Sequence, residues 1–396
     1  MKIGINASFA RKPATGTGQV TINFLKELAR HKPGHEFVLY LEEPLSKNLK
    51  LPASFSTQVF LPLWKRDDLI RKIRWEKYLL PKKIKKDHVD VFFSLYQSAT
   101  ILPTSIKHIM LVHDIIPKLF PEYLNNFRKK KYWRLIEKAI QSSDKIIANS
   151  RRTEKDLIRC LNISPTKITL NYLDTDEIYK KKILTKENSM VLKKYKLKPG
   201  YIYNGGGLEI RKNTEGVIRA YKYLLEKNKN PSNRSFLFQT QTLPQLVISG
   251  KLLPELAPLV TDVSKLIKQL NLTRQVRILD FVPQKYLPVI YANAMVFVYP
   301  SLYEGFGIPI LEAMNQGTPT ITAKTSSLPE VGGDSVLYCN PEDPKDIAMV
   351  IKNILSNKNL RTTLSRRGQE RAKLFSWKKF VEKFLNIADE TSFRKN

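Results

Sequence analysis

The amino-acid sequence predicts an α/β protein made of two doubly wound domains that face a central cleft. Three observations predict it. The 396-residue length exceeds one ordinary core and suits two domains of roughly 150–200 residues. Short β-branched or aromatic runs alternate with helical patterns along the whole chain, as in parallel sheets covered on both faces. The alternation lapses once, from Glu177 to Gly200, in a Lys-rich stretch that closes on Lys198-Pro199-Gly200.

In the front half the expected strands are Lys2 to Ala7, Glu36 to Leu41, Val89 to Ser94, His108 to Val112, Lys145 to Asn149 and Lys167 to Leu170. Helical patterns lie between them. In Gly18 to Arg30, for example, Val20, Phe24, Leu25 and Leu28 share one face. The rear half repeats the scheme at Tyr201 to Asn204, Gln245 to Ser249, Val276 to Asp280, Met295 to Tyr299, Thr318 to Thr322 and Ser335 to Tyr338. The Lys-rich stretch is read as the linker, giving domains 1–180 and 181–375, with 376–396 as a terminal helical segment. Doubly wound domains bind ligands outside the carboxyl ends of their strands.

Composition narrows the class. Apolar residues make up 42% of the chain, and no run of uncharged apolar residues is long enough to span a bilayer. Met1 to Phe9 reads as a strand rather than a secretion signal. Cys160 and Cys339 are the only cysteines, so a cytoplasmic location is expected. The five histidines lie between His31 and His113 without ligand spacing, and Asp174-Thr-Asp176 is read as a turn rather than a metal-holding D-x-D. No metal and no cofactor are expected.

The net charge of +31 is uneven. Residues 1–200 hold 40 Lys+Arg and 19 Asp+Glu, a balance of +21; residues 201–396 hold 27 and 17, a balance of +10. The densest run, Trp64 to Lys86, has ten basic and three acidic residues with tryptophans and leucines interleaved. It is read either as a solvated helix with core anchors or as a surface for anionic lipid. No nucleic-acid module accompanies it, and no nucleic-acid partner is expected.

The chemistry concentrates in two loops. Tyr299-Pro-Ser-Leu-Tyr-Glu-Gly-Phe-Gly-Ile-Pro-Ile-Leu-Glu-Ala-Met314 reads as a strand end, a loop bent at Gly305 and Gly307, and a helix opened by Pro309. Glycines there let free amides meet phosphate or hydroxyls. Glu304 and Glu312, eight positions apart, suit vicinal diols of a sugar and a ribose. Each alone reads as a solvated acid; their joint spacing favours a site. In Tyr203-Asn-Gly-Gly-Gly-Leu-Glu-Ile-Arg-Lys-Asn213, Arg211 and Lys212 follow a strand end and suit a departing diphosphate. The front half adds Ala14-Thr-Gly-Thr-Gly-Gln-Val20, where Gly16 and Gly18 are read as permitting close approach to a ligand. His113 and Asp114 follow another strand end. His113 is expected to contact a sugar, and Asp114 to orient its loop or help bind the acceptor.

These motifs resemble glycosyltransferase family 4, whose members have the glycosyltransferase B fold of two Rossmann-like domains. The likeness runs through Leu246-Val-Ile-Ser-Gly250, Phe281-Val-Pro283, Gly317-Thr-Pro319, Ser326-Ser-Leu-Pro-Glu-Val331 and Phe375-Ser-Trp377, and covers nearly the whole chain. The resemblance implies a retaining, metal-independent transferase. It places Glu304 on the donor sugar with the Phe306 and Gly307 amides, Glu312 on the ribose, and Arg211 with Lys212 on the diphosphate. Gly206, Val282 and Gly305 join the donor side, and Gly18 and His113 come from the other wall. It also implies that Trp377 to about Asp389 returns to the first domain. His113-Asp-Ile-Ile-Pro117 with Phe120-Pro-Glu122 looks like the branch that transfers mannose from GDP-mannose in surface polysaccharide assembly.

The expected partners are therefore a nucleoside-diphosphate sugar, a glycan or lipid-linked acceptor, and an anionic membrane surface at the inner face. Two departures stand out. Only glycines follow the strand where members carry arginine, and Asn171-Tyr172 replaces the usual Asn-Gly. Rival readings are an epimerase or phosphorylase on the same fold, and a non-catalytic basic binding protein. Transferase chemistry predicts that Glu304→Ala or Lys212→Ala cuts transfer by orders of magnitude and leaves the fold intact.

Overall fold

The computed structural model describes residues 1–31, 34–46, 49–61, 68–229 and 243–393. Two compact units emerge. Met1–Asp174 joins Phe375–Asn396 in the first, and Thr175–Leu374 forms the second.

The first unit is a seven-stranded sheet in the order β3-β2-β1-β4-β5-β6-β7, with every pairing parallel. The strands are β1 (Lys2–Asn6), β2 (Glu36–Leu41), β3 (Phe55–Val59), β4 (Val91–Ser94), β5 (Lys107–Val112), β6 (Lys145–Ala148) and β7 (Ile168–Leu170). Central strands such as β4 are buried along their full length, which is why they read as continuous apolar runs. Strand β3 was not expected from the sequence. Its residues, Phe-Ser-Thr-Gln-Val, lie at the sheet edge and stay largely exposed, so no apolar signal marks them.

Helix Gly16–His31 buries Val20, Phe24, Leu25 and Leu28. Helix Trp377–Phe393 belongs to this unit and contributes fully buried Phe380, Val381, Phe384 and Ala388. Phe384 stacks on Phe93 with ring centroids 4.3 Å apart and meets Phe24 edge-on at 5.3 Å. Asn171 Nδ2 donates to the Phe380 carbonyl at 3.0 Å and holds this helix in place, while Tyr172, which stands where the family pattern has glycine, meets Phe375 edge-on at 5.8 Å. The described part of the basic run folds as Asp68–Arg74, a π-helical turn Trp75–Leu79, and Leu80–Lys86. Trp75, Leu80 and Ile84 are buried while Lys82, Lys85 and Lys86 are exposed, an anchored and solvated helix. Trp64 and its neighbours at 62–67 lie outside the described residues.

The second unit is a six-stranded parallel sheet in the order β10-β9-β8-β11-β12-β13. Its strands are β8 (Tyr201–Asn204), β9 (Leu246–Ile248), β10 (Val276–Ile278), β11 (Ala294–Tyr299), β12 (Thr320–Ala323) and β13 (Leu337–Cys339). The expected linker is corrected here. Glu177–Lys180 is a 3-10 turn and Thr185–Tyr195 a helix within this unit, and the division falls at Asp174–Thr175. Lysines on the exposed faces of that helix hid its apolar stripe, of which only Val191 is fully buried. Asp176 caps the 3-10 turn by accepting from the Ile178 amide at 3.0 Å, the turn role read for it. Among the described residues no helix is long and apolar enough to cross a membrane.

Candidate active site

Strand order reverses between β8 and β11 in the second unit, and an open parallel sheet splays its following loops apart at such a point. The loop after β8 carries Gly205 to Lys212, and the loop after β11 carries Pro300 to Gly307. The two are tied together. The Arg211 carbonyl accepts from Ser301 Oγ at 2.8 Å and from the Leu302 amide at 2.7 Å. Asn213, which caps helix Thr214–Lys229 through the Gly216 amide, donates to the Pro300 carbonyl at 3.2 Å.

Glu304 is the node of this junction and is 6% exposed. Arg211 Nη1 donates to its Oε2 at 2.9 Å, and Lys212 Nζ donates to its Oε1 at 2.6 Å. Tyr299 Oη at 2.6 Å and Ser301 Oγ at 2.8 Å donate to the same Oε1. Burial pushes this carboxyl up, but Arg211 and Lys212 outweigh it and hold the group at about 2. Burial, and then the neighbouring Arg211, lower the Lys212 ammonium below the ordinary lysine value. Arg211 is further oriented by Glu209 at 2.7 Å and by the Tyr303 carbonyl at 3.0 Å. Both cations are thus fixed before any ligand arrives, the condition under which electrostatic stabilisation needs little reorganisation.

The loop backbone is held from below. The Glu304 amide donates to Ser326 Oγ at 2.9 Å, and Ser327 Oγ donates to the carbonyls of Glu304 at 2.9 Å and Phe306 at 2.7 Å. Gly307 caps helix Ile308–Asn315, in which Pro309 is the second residue. Gly206 adopts φ +96°, and a Cβ there would lie 3.0 Å from the Tyr299 ring and 3.1 Å from Pro309. Gly207 next to it faces open space, so the bend has one packed side and one free side.

Glu312 is half-buried on that helix and accepts from Tyr291 Oη at 2.9 Å. Burial raises its carboxyl from 4.5 to about 7, offset in part by the Tyr291 hydrogen bond and by the positive charge of Lys212. Glu304 and Glu312 therefore differ in character. One is a fixed anion, and the other changes charge near neutrality. Val282 is buried after β10 and offers no polar side chain.

The remaining candidates lie in the first unit, where the order reverses between β1 and β4. Gly16 opens its helix with space beyond its Cα. Gly18 has a structural reason as well. Its missing Cβ makes room for the protein's own Lys12 carbonyl, which a Cβ would approach to 1.9 Å. His113 Nε2 lies 2.9 Å from the Leu95 carbonyl, so that nitrogen carries the proton. Burial lowers the ring from 6.5 to about 4. A neutral imidazole of this kind can accept a hydrogen bond through Nδ1 but cannot serve as a standing cation. Asp114 Oδ1 accepts from the Ile116 amide at 3.0 Å and so caps the following turn.

The structure brings Arg211, Lys212, Glu304, Gly305, Phe306 and Gly307 into one cluster in the second unit. Sequence reading missed the roles of Tyr299, Tyr291, Ser301, Ser326 and Ser327. Of these, Tyr299 and Ser301 were marked only by their position at a strand end. Among the described residues no three His, Cys, Asp or Glu are grouped to hold a metal ion.

Residues 14–173 match Glycosyltransferase Family 4, and residues 186–371 match Glycosyl transferases group 1. The chain is similar to O-antigen chain mannosyltransferase B of Escherichia coli, with 29% identity covering 98% of this chain and 99% of that protein. It is 30% identical to the serotype-specific mannosyltransferase WbdA of Escherichia coli over 68% of this chain, which spans 32% of that protein. Its fold matches that of HepE from Anabaena in complex with UDP-glucose, with a TM-score of 0.73 and 17% identity, over 98% of this chain and 100% of that one. Both sheets and their order fit this likeness, and the fold is glycosyltransferase B.

Proposed function

We propose that the chain is a glycosyltransferase of family 4 that moves mannose from GDP-mannose to a glycan or lipid-linked acceptor of a surface polysaccharide. In this reading the anomeric configuration is retained and no metal takes part. The observation that carries it is the convergence of Arg211 and Lys212 on buried Glu304 beside the open Gly206–Gly207 bend. A diphosphate leaving group gains negative charge as its bond to the sugar breaks, and two fixed cations oppose that charge without a metal. Glu304, ionised and oriented by four donors, accepts from hydroxyls of the transferred sugar. Glu312 in its ionised form accepts from the ribose diol. His113, neutral, accepts from a sugar hydroxyl, while Asp114 holds its loop. The names of the mannosyltransferase relatives support the choice of sugar.

The test is transfer from GDP-mannose, with and without chelator, with the product anomer read by NMR. Alanine at Glu304 is a poor probe. Removing the carboxylate leaves buried Lys212 without a counter-ion, a loss of roughly 3–5 kcal/mol. Glu304→Gln keeps an acceptor for the donors around it though not the charge, and Lys212→Ala leaves Glu304 paired with Arg211; each is expected to lower transfer by about a hundredfold or more in protein whose circular dichroism spectrum shows it folded. Transfer within tenfold of the parent in both variants defeats the site. Consumption of donor without any acceptor points instead to an epimerase or phosphorylase.

A further inference from the structure

The first unit holds a groove that the donor chemistry leaves unused, and it lies where the order of its sheet reverses. One end is lined by Thr17 after β1, Tyr96 and Gln97 after β4, and Pro117 after β5. Gln97 Oε1 accepts from the His113 amide at 3.3 Å, so this end reaches the histidine assigned to the sugar. The groove continues past Phe9, Lys72, Lys129 and Tyr132, which also line a second cavity of about 430 Å³.

The floor between the two cavities is built rather than incidental. The Lys72 ammonium sits 4.9, 5.0 and 5.3 Å from the ring centres of Phe9, Tyr96 and Tyr132. Beneath it, Glu76 is fully buried and accepts from Tyr96 Oη at 2.7 Å, Tyr132 Oη at 2.7 Å and the Ala99 amide at 2.9 Å. Tyr96 and Tyr132 are therefore locked in place by a carboxylate that also pairs with Lys72 at 3.8 Å.

The outer cavity is strongly cationic. Arg11, Lys12, Lys72, Arg128 and Lys129 line it against one carboxylate, Glu42. Glu42 is 3% exposed and already bound by Arg71, with Arg11 3.5 Å away. The Arg128 and Lys129 side chains have no acidic partner among the described residues. A cavity with this surplus suits a ligand bearing two or more negative charges, and rigid rings beside it suit a sugar face or an apolar chain.

We propose that this groove binds a phosphate- or diphosphate-bearing group of the acceptor. The anion is held by Arg128 and Lys129, and the attached ring or chain runs over Phe9 and Tyr132 toward His113. The assignment of the ligand as acceptor rests on the transferase reading above; the anion site itself does not.

Inorganic pyrophosphate is the probe, titrated calorimetrically into the full chain at low salt. All titrations use a Lys212→Ala background, which removes the competing site in the second unit. Binding is expected to persist in that background and to weaken at least tenfold when Arg128→Ala and Lys129→Ala are added. Both side chains are outside the core, so the fold is preserved. Loss of all pyrophosphate binding with Lys212→Ala alone overturns the proposal, as does unchanged binding in the triple variant. Flotation with phosphatidylglycerol vesicles separates the sources of phosphate. Vesicle binding that depends on Arg128 and Lys129, without any pyrophosphate binding, also overturns the proposal and makes this face a membrane contact. Failure of GDP-mannose transfer with pyrophosphate binding intact would fault the transferase reading alone.

Discussion

Glu312→Gln is expected to stabilise the protein at alkaline pH and to do nothing at acid pH. Burial raises the Glu312 carboxyl from 4.5 to about 7. The folded protein therefore holds a proton on this group over a range in which the unfolded chain has released it. Stability linked to Glu312 is present in full below pH 4.5, falls as pH rises from there, and is gone above about 7. A gap of this size corresponds to roughly 3 kcal/mol at most. Glutamine keeps the length and the acceptor oxygen for Tyr291 but has no proton to lose, so the variant escapes the penalty. A unit of about 200 residues gains some 2–4 °C per kcal/mol, which puts the expected rise in Tm at about 6–12 °C at most at pH 8. Thermal unfolding of parent and variant from pH 4 to pH 9 is the assay. A Tm difference that does not change with pH would show that the carboxyl is not held protonated by its surroundings. The variant should also lose nucleotide affinity, because an amide is a weaker acceptor for a ribose diol than a carboxylate.

Two further outcomes follow from packing. Gly18→Ala sets a Cβ against the Lys12 carbonyl and should cost about 1–3 kcal/mol through overpacking, read as a shift in urea midpoint with donor affinity unchanged. Phe384→Ala removes a ring fully buried against Phe24 and Phe93 and should cost about 3–5 kcal/mol; a loss below about 1 kcal/mol would mean that helix Trp377–Phe393 contributes little to the first unit.

Much of this was legible in the sequence because the sheets are parallel and buried. Central strands on a sheet with both faces covered are largely apolar, so the nine central strands announced themselves, edge strands β7, β10 and β13 kept enough apolar residues to be seen, and the loops at the strands' carboxyl ends carried Arg211, Lys212, Glu304 and His113. Edge strand β3 escaped because an edge tolerates Ser, Thr and Gln. Helix Thr185–Tyr195 escaped because only Val191 is fully buried, too little for a periodic signal. The tyrosine hydroxyls and serines around Glu304 and Glu312 were invisible for another reason. Their roles depend on which loops the strand order brings side by side, and neither spacing nor composition encodes that. At Gly18 the contact with the Lys12 carbonyl was equally hidden, since a glycine needed for ligand approach and one needed for the chain's own backbone look alike in sequence.

The first unit is discontinuous, closed by helix Trp377–Phe393, and this bears on the order in which the protein can mature on the ribosome. Thr175–Leu374 is one uninterrupted stretch and can collapse as soon as it has emerged. The earlier-made residues 1–174 cannot, because Phe24 and Phe93 lack their covering helix until residues 377–393 have been made. A nascent chain paused before residue 377 carries an open aromatic surface, the kind of exposure that chaperones recognise. A fragment ending at residue 174 should be prone to aggregation when made alone, and adding residues 375–393 as a separate peptide should rescue it.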